Sequence, residues 1–174
     1  YGGRFEDLAV SALGMQVEAG SLGEWLYNKG QHGSRFVGDI MIDDLAEAQR
    51  NFGFASSIEG EGLKLAADGR WDGSPAMVDI ERVSGEVEIS EGSGRFVQAE
   101  TGGALKLLGI FDFASLARRF RLDFSDVIDG GFEFTDIQGV VSFDEGEVIV
   151  QEPIVIHGSS GKFTVGGGLN LVSN

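Results

Sequence analysis

Two histidines, one glycine-flanked lysine and a triplet of aspartates are the residues whose types and spacing could do chemistry. His32 and His157 are the only histidines. They stand far apart without further ligands at metal-binding spacing, so no zinc site is expected. Gly158-Ser-Ser-Gly161-Lys162 has the outline of a phosphate loop. The four-residue gap between its glycines is missing, and Phe163 stands where a Ser or Thr would hold magnesium. A hairpin turn accounts for the segment. Asp123, Asp126 and Asp129 lack the alternating oxygen ligands and closing Glu of a calcium loop, and helix caps and turns account for them. No Ser sits in a G-x-S-x-G motif, and the absence of cysteine removes thiolate nucleophiles, thiolate metal sites and disulfides. The expectation is a protein that is not an enzyme and has no catalytic residues, metal or cofactor.

Composition narrows the class further. The chain has 174 residues, 42% of them apolar, and a net charge of −15 from 13 basic and 28 acidic side chains. That suits a folded domain with a core rather than a disordered segment. The acidic balance argues against nucleic acid, which needs clustered Lys and Arg. Glycine, at 28 residues, falls between apolar runs, as in an all-β chain with many turns. No apolar run approaches the roughly 18 residues of a membrane-spanning helix. The chain opens without Met and closes at the end of a strand, so both ends read as cuts through a longer polypeptide. The whole of 1–174 is taken as one fragment. Residues 1–75 supply strands and a short helix at 43–53, and 76–174 supply a sheet interrupted by a helical block at 102–128.

The elements follow from periodicity. Apolar runs at 5–13 and 15–19 flank Gly14, and 25–27 and 35–42 read as further strands, with Ile40 and Ile42 on one face. Asp43 is placed to cap the helix 43–53, and Gly53 to end it. Strand resumes at 62–71, with Leu63, Leu65 and Ala67 on one face, before a turn at 72–75. In 85–90, Val87 and Ile89 point one way and Glu86, Glu88 and Ser90 the other, so the sheet has one wet face. Glu91-Gly92 is expected to turn the chain so that 94–99 pairs back. The segments 132–134, 137–143, 147–150, 153–157 and 162–171 continue the sheet, with a turn at Glu145-Gly146. The stretch 84–92 resembles 138–146, each a strand opened by Gly and closed by Glu-Gly. Such repetition suggests an extended sheet rather than a closed barrel.

One block departs from this pattern. Residues 101–131 become helical, Phe-rich and basic, and hold Lys106, Arg118, Arg119 and Arg121. Two short helices are expected, at 104–110 and 113–120, with Leu116 and Phe120 on one stripe. Two readings stay open. The block is either a plug on the sheet end, its arginines paired with nearby acids, or an amphipathic element whose four cations meet anionic lipid headgroups.

The stretches 103–111 (GALKLLGIF), 116–127 (LARRFRLDFSDV) and 131–139 (GFEFTDIQG) carry a resemblance to the C-terminal region of the YhdP branch of AsmA-like proteins. The segments 43–53, 69–75 and 84–92 are also similar to that branch. The resemblance implies a mainly β fold with a few short helices, in which an extended, curved antiparallel sheet forms an open groove. It implies a periplasmic location, with the full-length protein anchored in the inner membrane by a segment outside this one. Phospholipid is the implied cargo, carried toward the outer membrane. The outer-membrane surface and other envelope proteins are the implied partners. In such a groove Val87, Ile89, Val141, Phe143, Val148, Val150, Ile154, Ile156, Phe163 and Val165 are the candidates to meet acyl chains. Each buried methylene would contribute about 0.8 kcal/mol without direction. The competing readings are a scaffold that binds no lipid, and a β-domain with another small ligand in a closed polar pocket.

Overall fold

Alternating apolar and polar residues can bury one side of a strand only if neighbouring strands share the same phase. The computed structural model, which describes residues 1–51, 56, 58–97, 132–159 and 161–170, shows that arrangement. The strands are β1 (Gly2–Ala12), β2 (Met15–Asn28), β3 (Gln31–Ile42), β4 (Ile58–Glu61), β5 (Leu63–Asp72), β6 (Val83–Ser90), β7 (Ser93–Phe96), β8 (Phe132–Asp144), β9 (Glu147–Gly158), β10 (Gly161–Val165) and β11 (Gly168–Asn170). One helix, α1 (Leu45–Asn51), follows β3, and a 3-10 turn (Ile80–Arg82) precedes β6. Among the described residues these strands form one 11-stranded sheet in which every pairing is antiparallel. β1 pairs only with β2, and β10 and β11 pair only with β9, so the sheet is open.

The order is a plain meander once two interruptions are recognised. β4 and β5 are one strand line broken at Gly62, and β6 and β7 are another broken at Glu91-Gly92. Ile58 lies opposite Phe96 and Lys64 opposite Ser90, so both lines keep one register across the break. The expected return of 94–99 against 85–90 is therefore corrected: β7 runs on along β8, with Gly94 opposite Phe134. The reason is occupancy. β6 already has β5 on one side and β8 on the other, and no free edge remains for β7. Glu145-Gly146 does turn the chain, with both residues at positive φ, as do Leu13-Gly14 and Lys29-Gly30. These are the dihedrals that two-residue hairpins require, and Gly accepts them without steric cost.

The break also shifts the alternation by one residue. Leu63 and Leu65 on β5 and Ile89 on β6 carry odd numbers, whereas Ile58 and Phe96 beyond the break are even, yet all join the same apolar cluster. On β8 an irregularity between Phe134 and Asp136 makes the matching shift, so Phe134 and Ile137 are both buried. Three neighbouring strands thus change phase together, and the apolar face stays on one side.

Other expectations needed adjustment. β2 is one strand where two runs were expected, because an irregularity between Val17 and Leu22 absorbs its polar middle. β9 likewise joins 147–150 to 153–157. Its register slips opposite Val140, and Pro153 is tolerated beside that slip. Asp44, not Asp43, caps α1, its Oδ1 accepting from the Glu47 amide at 2.8 Å, while Asp43 accepts from the Gln16 side chain. Residues 52–53 and the helical block 102–128 lie outside the described residues.

Candidate functional site

The apolar face has a filled part and a hollow part. α1 lays Leu45 and Ala48 onto it, where they join Ile42, Phe134, Ile154 and Ile156 as buried core. Over the N-terminal strands the face is a trough of about 900 Å³. Phe5 and Leu8 of β1, Met15 and Val17 of β2, and Phe36 and Ile40 of β3 line one flank. Trp71 of β5, Val83 and Val87 of β6 and Phe143 of β8 line the other. Strands lie about 4.8 Å apart, so β1 and β8 can bound one cavity only on a curled sheet.

A single transverse row explains the hollow. Phe5 pairs with Gly23, Gly23 with Phe36, Phe36 with Gly69, Gly69 with Gly85, and Gly85 with Phe143. Paired residues share a face, so large rings alternate with positions that have no side chain. A methyl group added at Gly23 would lie 3.9 Å from the nearest atom of Leu8, and one at Gly69 would lie 3.7 Å from Val83. These are ordinary contacts, so both positions have room for at least a methyl group. Gly38 differs: an added methyl would stand 2.1 Å from Ser21 Oγ, because the buried Ser21 side chain occupies that spot and accepts a hydrogen bond from the Asp39 amide.

All ten residues expected to meet acyl chains fall on this apolar face. The cross-strand pairs Val87–Val141, Phe143–Val148, Val141–Val150, Ile137–Ile156 and Ile156–Phe163 bring them together. Val141, Val148, Ile154, Ile156 and Val165 are buried in the core. Ile89, Phe143, Val150 and Phe163 are half-buried at its margin, and Val87 is half-buried on the trough wall. Of the ten, Val87 and Phe143 line the trough. Lys106, Arg118, Arg119 and Arg121 lie outside the described residues. The N-terminal flank was missed by sequence reasoning, although the Phe and Gly positions that make it were readable.

The opposite face is charged and largely self-paired. Arg35 donates twice to Asp68, from Nε at 3.1 Å and from a terminal nitrogen at 2.8 Å. That bond holds the Asp68 carboxyl below its usual range and raises the Arg35 guanidinium. Lys64 contacts Glu91 at 2.6 Å and is raised by that hydrogen bond. His157 Nδ1 lies 3.2 Å from Asp136 on this face, whereas the bond from Trp25 Nε1 to His32 Nδ1, at 3.0 Å, lies on the apolar face, since Trp25 pairs with Ser34 in the row of Trp71. Gly158 pairs with Gly161, so the phosphate-loop look-alike joins β9 to β10.

Among the described residues, no helix is long and apolar enough to cross a membrane. An open antiparallel meander with one apolar face partly hollowed into a trough defines an open β-groove architecture. The model of the YhdP protein family matches residues 4–174, and the chain belongs to that family, whose members are AsmA-like proteins of the cell envelope. No curated protein and no solved structure matches it.

Proposed function

We propose that this segment holds phospholipid by its acyl chains along the trough, and that it forms part of a periplasmic path between the inner and outer membranes. The observation that carries the reading is the hollow, solvent-open row of Phe and Gly positions. Apolar contacts are non-directional, so a chain held there can slide without breaking specific bonds. A ligand recognised by polar chemistry would need convergent polar groups in a closed pocket. This trough is open, with apolar residues along both flanks. The cationic residues Lys106, Arg118, Arg119 and Arg121 are assigned to anionic headgroups in the same proposal. Their joint replacement by Glu is expected to weaken binding to anionic vesicles at low salt.

The test fills the hollow. Gly23→Leu and Gly69→Leu each place a side chain where the backbone leaves room. Purified protein is extracted into organic solvent and analysed by mass spectrometry beside an unrelated acidic β-protein from the same host. Stoichiometric phospholipid in the parent chain, lost in both variants, is expected. A clean, folded parent chain would reject the reading and favour a scaffold that binds no lipid.

A further inference from the structure

The loop 73–79 between β5 and the 3-10 turn has a fixed root and a greasy tip. At the root, the Gly73 amide donates to the His32 carbonyl at 3.0 Å, and buried Ser34 Oγ donates to the Gly73 carbonyl at 2.8 Å. The indole nitrogen of Trp71 donates to the Ser74 carbonyl at 3.1 Å. At the far side, Asp79 caps the 3-10 turn by accepting from the Glu81 amide at 3.2 Å, and it pairs with Arg82 at 3.4 Å. Between these anchors the tip presents Met77, 73% exposed, and Val78, 57% exposed, to solvent. Pro75, Val78 and Asp79 also line the trough. Two large apolar side chains are therefore held in water at the lip of an apolar hollow, by a segment tied at both ends.

We infer that residues 75–79 form a strap that closes onto the acyl chain in the trough, with Met77 and Val78 as ligand-contacting residues. The inference rests on the lipid reading of the trough and adds its missing wall. With the trough empty, closure would bring the tip against a cavity that the glycine row leaves unfilled. With a chain bound, closure buries Met77 and Val78 against methylenes, and the unoccupied and occupied forms differ mainly in that contact. The Met77 amide also donates to the Ser74 carbonyl at 3.0 Å, so the tip is a closed turn that would swing on the roots as one piece.

The chain has no cysteine, so Met77→Cys can carry a single bimane label, with Ala66→Cys on the exposed opposite face as a control. The probe is a short-chain phosphatidylcholine below its micelle-forming concentration, and bound lipid is counted by native mass spectrometry. A blue shift at position 77, none at 66, and loss of the shift when Gly69→Leu is added are expected. Bound lipid without a shift at 77 would overturn the strap and leave the trough reading intact. Equal shifts at 77 and 66 would mean adsorption to the surface and would also overturn it. Absence of bound lipid would remove both readings. A second variant, Met77→Ser with Val78→Ser, changes exposed side chains and should keep the parent melting temperature. Its lipid should dissociate about tenfold faster, given the apolar area that closure buries. An unchanged rate would overturn the strap.

Discussion

Strands β8 to β10 and strands β1 to β3 belong to one sheet and show the same alternation, yet one set is packed shut and the other is hollow. On the packed side the inward positions are mostly β-branched. Ile156 is fully buried, and Val148 and Ile154 are 2% exposed. On the hollow side one transverse row of inward positions alternates Phe with Gly, and Phe5 remains 53% exposed. Alternation therefore decides which face is apolar, while side-chain volume along each transverse row decides whether that face becomes core or cavity. A groove needs both: a packed part to set the strand positions, and a row of missing side chains to leave room.

The sharpest way to break this comparison is to make the packed side hollow. Ile156→Ala should cost about 2–5 kcal/mol in urea unfolding, because the cavity it leaves has rigid walls. A loss well under 1 kcal/mol would show that this side is no more packed than the trough. Gly38→Ala tests a point where the hollow side is crowded. Its methyl group collides with Ser21, whose hydroxyl also serves the Asp39 amide. A loss of about 1–3 kcal/mol is expected, by the same measurement. Gly69→Leu fills the hollow and should shift stability by less than about 1 kcal/mol, since a strand gains from any side chain that finds space. A severe loss there would mean that no cavity stands above Gly69.

The smallest effect belongs to the wet face, which both regions share. Arg35 favours the ionised form of Asp68, so the folded pKa of that carboxyl lies below its unfolded value. The contribution is present above the ordinary carboxylate pKa and is lost as pH falls through the lowered folded value. Asp68→Asn should therefore lower the neutral plateau of a stability–pH profile slightly, and the difference from the parent should vanish as pH falls through the lowered folded value. Exposed pairs contribute little, and added salt should shrink even this difference.

Much of the sheet was legible in the sequence because the alternation is local. Val87 and Ile89 opposite Glu86 and Glu88, and the Glu145-Gly146 turn, follow from neighbouring residues alone. The Glu91-Gly92 break was not legible, since the same dipeptide closes one hairpin and merely interrupts another strand. What separates them is whether β6 has a free edge, a property of its neighbours β5 and β8 rather than of the dipeptide. The apolar face was read correctly as a face, but its division into core and trough depends on rows such as Phe5–Gly23–Phe36–Gly69. Those rows exist only after six strands are in register, and period-two reasoning along one strand cannot see them.

The meander order also bears on how the molecule forms. Each strand line lies beside the next one along the chain, but the spacing is uneven: β1, β2 and β3 are joined by two-residue turns, whereas β8 pairs with β7 only after the 35 residues between Phe96 and Phe132. The closures within β1–β3 and β8–β9 are short and that before β8 is long, so the edge of the β6–β7 line waits longest for its neighbour. Such a chain divides into two runs of local pairing, β1 to β7 and β8 to β11, that meet where β8 docks on the β6–β7 line. The docking of β8 is therefore the step that should set the pace of assembly.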